Sequence, residues 1–331
     1  MKPTLALQAL PVLLAAGQPT FFSGPPGVGK STIIHNYAAE NDLEMIDLRV
    51  VLLDPVDLRG LPYPVKTETP EASVTWLTPD FLPTSGKGIL FLDELNAAPR
   101  LVQSACLQLV LDRKLGDYTL PDGWHIVAAG NRETDSAGVG SMITPLANRF
   151  THIEIEVDLN DWTIWAFDNN VPAPLIAFLR FRPELLSQDV QQSGSNSFAS
   201  PRSWAAVGTL LNLNPDSDIE LDLFTGTVGE GPALELIAFL KMFRELPNLD
   251  AIVINPDTAM VPHEPAPLYA TVTGLAAQAT AHNFDAILKY AERLPEEFSV
   301  CLVKDCVNRN PQLANSHGFV QWAAVTQSSL T

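Results

Sequence analysis

Residues 24–32, GPPGVGKST, contain the glycines, lysine and hydroxyl side chains that bind phosphate groups in proteins. An apolar stretch, Thr20–Phe22, precedes this segment, and the helical pattern STIIHNYAAE follows it, which is the context that the GxxxxGK[ST] motif requires. Glycines allow backbone N–H groups to face a phosphate, and the start of a helix adds its positive dipole end. The segment therefore predicts an ATP-binding loop formed by Gly24, Pro25, Pro26, Gly27, Val28, Gly29, Lys30, Ser31 and Thr32.

Two of these side chains have separate expected roles. Lys30 is expected to place its charge on the β and γ phosphates, and the Ser31 hydroxyl is expected to ligate Mg²⁺. The stretch GILFLDE, residues 88–94, supplies the acids that such a loop needs. Its consecutive apolar residues indicate a strand that is buried on both faces, as in a parallel sheet. Asp93 is predicted to hold Mg²⁺ with Ser31, and Glu94 to orient and deprotonate the attacking water.

Five short motifs occur in the order GPPGVGKS, LFLDELNAAP, AAGN, LANRF and SPRSW. This order resembles the AAA+ ATPases of the MoxR type, including the CbbQ/NorQ-like and the dynein- and midasin-related modules, over residues 1 to about 245. The resemblance implies that Asn131, which follows the strand WHIVAAG, is the polar sensor. The position at the end of a strand supports the same placement independently of the family, because a polar side chain there would lie beside the γ-phosphate. An Asn after a strand is, however, more often a turn residue.

The resemblance also implies roles for two arginines. Arg149, in LANRF, corresponds to the arginine finger, with Arg100 as a weaker rival, and Arg202, in SPRSW, corresponds to the sensor-2 arginine of the lid. Each has a plainer alternative. An arginine at a helix end is commonly a surface cation that favours the helix dipole. SPRSW is also an ordinary helix start, with Ser200 as the cap and a proline in the first turn.

Two hairpins match the same family pattern. The polar stretch Val65–Ser73, flanked by apolar pairs, indicates a hairpin that interrupts a helix, and residues 113–126 indicate another that turns at Pro121–Gly123. In the family such hairpins face the ring pore or the partner. Ordinary surface loops are the alternative for either one.

Strands and helices alternate through about residue 158, which predicts an α/β core. The resemblance implies that this core is a P-loop NTPase of the AAA+ type with a parallel sheet. A helical period follows, and we predict an all-α lid and then a helical C-terminal extension. The predicted domains are 1–158, 159–246 and 247–331. Their predicted helices lie near 161–168, 172–186, 201–213, 230–245, 268–281, 283–293, 295–309 and 318–327, with an extended proline-rich connection over 246–267.

Charge and composition argue against several classes of function and of binding site. The formal net charge is −18, and neither half of the chain is basic, so binding to a nucleic-acid backbone or an anionic membrane is disfavoured. The cysteines Cys106, Cys301 and Cys306 show no CxxC spacing, so packed thiols are expected rather than a zinc site or disulfides. The apolar N-terminal stretch imitates a signal peptide, but the ATP site favours a first amphipathic helix, broken near Pro11, in a cytoplasmic protein.

These observations predict an ATPase that requires ATP and Mg²⁺. The resemblance implies a ring of identical subunits, a hexamer, that remodels or activates a protein partner in the manner of a chaperone, with a von Willebrand factor A-like domain in that partner. A chelatase-like subunit for metal insertion and a nucleotide-switched binding module with negligible turnover are the alternatives. Glu94 argues against the switch, since a pure switch does not need that acid.

Overall fold

The computed structural model describes residues 1–65, 73–132, 134–135, 140–188, 197–246 and 248–329. The chain divides into two compact units, the first comprising Met1–Asp158 and the second beginning at Leu159. The first unit holds strands and helices, whereas the regular elements described in the second are all helical. Among the described residues, no helix combines the length and the hydropathy needed to cross a bilayer.

A five-stranded parallel sheet forms the centre of the first unit. Its strands, in spatial order, are β2 (Glu44–Arg49), β5 (Gly88–Asp93), β8 (Trp124–Gly130), β1 (Thr20–Ser23) and β9 (Thr151–Glu154). Each pair of neighbours is parallel. The carboxyl ends of all five strands therefore meet at one edge, where open α/β sheets bind their ligands.

Both faces of the sheet are buried, as the run GILFLD predicts. Ile89 and Phe91 pack on one face, and Leu90 and Leu92 pack on the other. The first face is covered by α1 (Pro3–Ala15) and α2 (Lys30–Glu40), and the second by α3 (Pro55–Arg59), α4 (Arg100–Asp112) and α5 (Thr144–Ala147). This three-layer arrangement confirms the predicted α/β core with a parallel sheet.

The first helix differs from its prediction, because α1 continues through Pro11 instead of breaking there. Pro11 cannot donate a backbone hydrogen bond, and it lies on the exposed side, where water can reach the carbonyl that loses its partner. Ala6, Leu10 and Leu14 are buried on the opposite side against Phe22. That packing holds the helix together across the proline.

Both predicted hairpins are present, but their details differ. Strand β3 (Leu61–Val65) pairs with β4 (Ser73–Leu77) after the short α3, and no helix resumes in residues 78–87. The connecting residues 66–72 lie outside the described ranges. In the second hairpin, β6 (Lys114–Leu115) pairs with β7 (Tyr118–Thr119), so its turn is Gly116–Asp117 and not Pro121–Gly123. Gly116 has φ +57°, a conformation that favours glycine, and the turn at Pro121 leads into β8 instead.

Ten α-helices are described in the second unit. They are α6 (Leu159–Asp168), α7 (Ala173–Phe181), α8 (Pro201–Asn212), α9 (Ser217–Val228), α10 (Glu230–Arg244), α11 (Leu249–Ile254), α12 (Pro265–Gln278), α13 (Phe284–Ala291), α14 (Glu296–Arg309) and α15 (His317–Ser329). The sequence analysis predicted helices for both the lid and the C-terminal extension, and the described elements of this unit are helical. The predicted boundary at residues 246 and 247 remains a prediction.

Three stretches of the second unit differ from the sequence prediction in whether a helix is present or where it ends. The helix expected over 172–186 ends at Phe181, because Arg182 precedes a proline and leaves the helical conformation. Ser217–Val228 is a helix that the sequence analysis missed. The expected extended connection contains Leu249–Ile254, a helix that fits between prolines, begins at the capping side chain of Asn248 and buries Ile252 in the core.

A buried ion pair joins distant segments of the second unit. Arg180 on α7 contacts Asp305 on α14 through both of its terminal nitrogens, one of them 2.7 Å from the carboxylate. Their side chains are 12% and 4% exposed. The Arg180 and Arg309 guanidinium groups also lie over the Phe167 ring, at 5.6 and 5.0 Å from its centre. The pair therefore connects residues that the sequence analysis assigned to the lid and to the extension.

The cysteines are packed thiols, as expected. All three are free, and Cys106 and Cys306 are buried. Burial raises the pKa of Cys106 and of Cys306 to about 12 and that of Cys301 to about 11. The thiols are therefore protonated at pH 7, which makes them weak nucleophiles and poor metal ligands.

Breaking the Arg180–Asp305 pair is expected to destabilise the second unit. Asp305→Ala leaves a buried guanidinium without its carboxylate and should lower the free energy of unfolding by about 3–5 kcal/mol, as measured by urea denaturation. Arg182→Ala removes the more exposed ion pairs with Glu184 and Glu235 and is the control, with little expected change. An Asp305→Ala variant as stable as that control would contradict the structural role.

Candidate functional site

The phosphate-binding loop lies at the carboxyl edge of the sheet. Strand β1 ends at Ser23, the loop follows, and α2 begins at Lys30. Gly29 has φ +97° immediately before the helix, a left-handed conformation that favours glycine. A Cβ atom at Gly29 would meet no atom within 4 Å, so the space over the loop is open. The loop thus fits a phosphate group held at the start of α2.

Lys30 is drawn into this loop and toward Asn131. Its side-chain nitrogen donates to the carbonyl oxygens of Gly24, at 2.8 Å, and Pro25, at 3.1 Å. It also donates to Oδ1 of Asn131 at 2.9 Å. Lys30 is 9% exposed. Two residues 101 positions apart, predicted separately as the phosphate cation and the sensor, therefore meet at one point.

Ser31 and Asp93 also meet, as predicted for two ligands of one metal ion. The Ser31 hydroxyl donates to Oδ2 of Asp93 at 3.2 Å. A hydroxyl and a carboxylate oxygen side by side, next to a phosphate-binding loop, are the oxygen donors that Mg²⁺ prefers. The residues present therefore fit Mg²⁺ delivered with a nucleotide. The described residues contain no cluster of three His, Cys, Asp or Glu side chains that would form a separate metal site.

Glu94 leaves the strand in a strained conformation. Its φ of +56° and ψ of 32° are left-handed, which is uncommon for a residue with a side chain. The Glu94 N–H donates to Oδ1 of Asp93 at 2.9 Å, and the Glu94 side chain is exposed. Strain of this kind costs about 1–3 kcal/mol and concentrates at functional sites. The turn separates the two acids, with Asp93 next to Ser31 and Glu94 in solvent.

Arg149 lies at the opposite edge of the sheet. Thr151 starts β9 opposite Thr20, and Glu154 ends β9 opposite Ser23. The paired strands alone span about 10 Å, with the loop beyond one end and Arg149 beyond the other. Exposed Arg149 lines a cleft with Gly17, Pro19, Arg113 and His125. Arg149 therefore cannot contact the phosphate-binding loop of its own chain.

The cleft around Arg149 carries positive charge. Arg113 donates to the carbonyl oxygens of Pro121 and Trp124, both at 2.7 Å, which fixes its guanidinium. Burial, and then the charge of Arg113, lower the pKa of His125, so this imidazole is neutral at pH 7. Within the described residues, the Arg149 guanidinium has no hydrogen bond or ion pair. An exposed cation of this kind can receive an anion from outside the subunit.

The other two arginines lie elsewhere. Arg100, the rival finger, is exposed at the first turn of α4, which follows β5 and the carboxyl edge. Arg202 is exposed in the first turn of α8, in the second unit. The Ser200 hydroxyl caps this helix by accepting the Ser203 N–H at 3.2 Å. The plainer interpretation of SPRSW as a capped helix start is thus correct for Ser200, while the sensor role of Arg202 remains a prediction.

Comparison with known protein families gives a match within the first unit. Residues 20–158 match the ATPase family associated with various cellular activities (AAA). This segment is an AAA domain.

Solved structures that resemble the chain are distant. They include a mutant RuvB from Thermotoga maritima, with 18% identity over 82% of this chain and 79% of that one and a TM-score of 0.39. NtrX from Brucella abortus in complex with ATP has 16% identity over 98% of this chain and 67% of that one, with a TM-score of 0.37. Similarities at this level carry no argument about function. Among curated protein sequences, none matches this chain.

Asn96 holds Asn131, the predicted sensor, and the sequence analysis gave Asn96 no role. Its Nδ2 donates to the backbone oxygen of Asn131 at 2.7 Å, and the residue is 5% exposed. A Cβ atom at Gly130 would lie 2.0 Å from Oδ1 of Asn96, so only glycine fits there. Oδ1 is buried and has no hydrogen-bond partner among the described residues. Burying an unpaired acceptor costs free energy, so we infer that the role of Asn96 is its hydrogen bond to Asn131.

Gln103 is a second buried amide that sequence reasoning missed. It is 1% exposed on α4. Its Nε2 donates to the carbonyl oxygens of Ala98, at 3.0 Å, and Asn96, at 3.4 Å, and its Oε1 accepts the Ile143 N–H at 2.8 Å. One signal was available, since Gln103 shares a helix face with the apolar Cys106 and Val110 at i+3 and i+7. A polar residue on such a face needs buried partners.

Substitutions at Lys30 and Glu94 should separate binding from turnover. Lys30→Ala removes the ammonium group from the loop and should abolish ATP binding, because this cation neutralises phosphate charge in the ground state. Glu94→Gln should keep ATP affinity and lower kcat by about 10²–10⁴-fold, the usual contribution of a general base. Calorimetric titration with ATP and single-turnover hydrolysis measure the two effects. Equal ATP affinities in the two variants would contradict this division of roles.

Proposed function

We propose that the AAA domain hydrolyses ATP and that the chain works as a ring ATPase of the MoxR type, acting on a protein partner. The observation that supports hydrolysis best is the convergence of Lys30 with Asn131 and of Ser31 with Asp93 at the carboxyl edge of one sheet. These pairs join the three motifs that a nucleotide site needs. The exposed Glu94 next to them supplies the base that a binding switch does not require.

Each side chain has a defined task in this proposal. Lys30 holds phosphate charge, and Asn131 orients the attacking water and the γ-phosphate from the other side. Ser31 and Asp93 would hold Mg²⁺, which, when bound, neutralises charge on the phosphate oxygens. Glu94 accepts the proton of the attacking water. Glu94 is exposed at its strained turn, whereas Asp93 contacts Ser31, so the Glu94 carboxylate is available to act as a base.

A ring assembly follows from the position of Arg149. Phosphoryl transfer is accelerated by a cation that meets the developing charge. Because Arg149 lies beyond the amino edge of its own sheet, it can meet a γ-phosphate only in a neighbouring subunit. A contact between the carboxyl edge of one copy and the amino edge of the next is head-to-tail, and such contacts close into rings when the rotation allows. We propose a hexamer.

The partner is proposed to be a protein with a von Willebrand factor A-like domain, in line with the motif order. The hairpin β3–β4 supports a docking role, because Leu61, Tyr63 and Leu77, which share one face of the hairpin, remain 60%, 56% and 52% exposed. Exposed apolar side chains that cluster on one hairpin are typical of a surface that binds protein. A cytoplasmic location also remains part of this proposal.

Mixing two inactive variants tests the action of Arg149 across the interface. Arg149→Ala should bind ATP and assemble but hydrolyse slowly, since a finger of this type contributes roughly 10³–10⁵ in rate, about 4–7 kcal/mol. Glu94→Gln subunits keep the finger but lack the base. In a random one-to-one mixture, about one quarter of the interfaces pair an intact Glu94 with an intact Arg149, so activity should exceed that of either variant alone.

The control is a mixture of Lys30→Ala with Glu94→Gln, in which every nucleotide site is defective and no recovery is expected. Co-assembly is established in both mixtures by giving the two variants different affinity tags and capturing rings that carry both. If Arg149→Ala and Glu94→Gln co-assemble without recovery, Arg149 does not act across the interface, and Arg100 becomes the candidate finger.

The partner proposal has its own test. A Glu94→Gln ring holds ATP and should retain its client, whereas Lys30→Ala, which does not bind ATP, is the matched control. Proteins enriched with the first variant over the second are identified by mass spectrometry, and the purified candidate is then tested for stimulation of the wild-type ATPase. A stimulating protein without a von Willebrand factor A-like domain would reject the partner class. Specific enrichment of a chelatase component would favour metal insertion instead.

A further inference from the structure

The buried amide of Gln103 connects the nucleotide site to the segment that carries Arg149. From Lys30, hydrogen bonds lead to the side chain of Asn131, and the Asn131 backbone oxygen accepts from Asn96. The Asn96 backbone oxygen accepts from Gln103, whose Oε1 accepts the Ile143 N–H. The path therefore starts at the phosphate-binding loop and ends on the residue immediately before α5.

Ile143 is well placed to position Arg149. It is the first residue before α5, which has only four residues, Thr144–Ala147, and Arg149 follows two positions later. The N–H groups of Leu146 and Ala147 both donate to the Ile143 carbonyl, each at 3.0 Å. A displacement of Ile143 thus shifts the whole short helix, and Arg149 moves with it. Gln103 reaches this point from α4 and is shielded from water.

We propose that Gln103 is a positioning residue that holds the Ile143–Arg149 segment and so aligns the finger that each subunit offers to its neighbour. This assignment rests on the proposed function, in which Arg149 acts across the interface. Gln103 touches no reacting atom. Its two ends contact the loop after β5 and the start of α5, so a change around Asn131 and Asn96 is transmitted to Arg149 through a single side chain. The site that senses ATP in one subunit thereby adjusts hydrolysis in the next.

Two variants break the same hydrogen bond from opposite ends. Gln103→Met has a similar length and removes the acceptor of the Ile143 N–H. Ile143→Pro removes the donor, and the native φ of −59° already suits proline. The matched controls are Val102→Ala, a buried neighbour on the same helix, and Ile143→Ala, which shortens the side chain but keeps the N–H. We expect both test variants to keep ATP affinity and lose about 10²-fold in kcat, because small misplacement of a catalytic group costs that much.

Mixed rings then show whether the defect lies in the nucleotide site of the variant subunit or in the finger that it offers to its neighbour. If Gln103 aligns the finger, Gln103→Met subunits keep a sound nucleotide site and offer a poor finger. Mixed with Glu94→Gln, which supplies a good finger, they should regain activity. Mixed with Arg149→Ala they should stay inactive, because neither partner offers a finger. Ile143→Pro should give the same pattern, and it replaces Gln103→Met if that variant does not fold.

Each other result rejects the proposal. Recovery with Arg149→Ala but not with Glu94→Gln assigns Gln103 to its own nucleotide site. Failure of both mixtures assigns it a general structural role, and wild-type kcat in Gln103→Met shows that the contact is dispensable. The mixture of Glu94→Gln with Arg149→Ala is the separate test of the finger. If it fails, the action of Arg149 across the interface is rejected first, and the role of Gln103 is rejected with it.

Discussion

The parallel register of the central sheet is the constraint on which the candidate site depends. Because β1, β5 and β8 run in the same direction, the residues that follow them share one edge. The phosphate-binding loop, Asp93 and Asn131 lie at the carboxyl ends of these strands. Antiparallel pairing of any one strand would send its terminal residue to the opposite edge. The contacts from Lys30 to Asn131 and from Ser31 to Asp93 are thus consequences of strand direction.

The same register separates Arg149 from this edge. A residue that precedes β9 must lie at the amino edge, and no side-chain rotamer can bring it back across the strands. In the proposed ring, each edge of the sheet carries half of a catalytic site, so a complete site requires two copies. Hydrolysis and assembly are therefore coupled in the proposed ring, since a subunit alone lacks the cation that would stabilise the transition state.

Buried amides connect the carboxyl edge to the start of α5. Asn96 and Gln103 are expensive to bury unless their polar atoms are paired, and Gln103 is paired at both ends. Paired polar groups of this kind fix one arrangement of the core elements, which apolar packing alone specifies less strictly. In the second unit, the Arg180–Asp305 pair has a comparable effect, because it joins two helices at a fixed point. Both features are internal, and neither is marked by a motif.

The sequence by itself determined the contiguous parts of the site. The loop from Gly24 to Thr32, the acids at the end of β5 and the asparagine after β8 are each encoded by a strand and the few residues next to it, so local spacing is sufficient to predict them. Local spacing also predicted most helices of the second unit. It was wrong where packing outweighs local preference, as at Pro11, and where prolines flank a helix that they were expected to exclude, as at Leu249–Ile254.

Only the tertiary structure decided which distant groups meet. Arg180 and Asp305 are 125 residues apart, and Gln103 and Ile143 are 40 apart. Nothing in either spacing specifies a partner, because hydrogen bonds and ion pairs depend on distances through space. For the same reason, the motif around Arg149 suggests an arginine finger, but only the strand register shows that Arg149 and the loop at residues 24–32 lie at opposite edges of the sheet. Motifs are local, whereas the geometry that joins them is set by the packing of the whole unit.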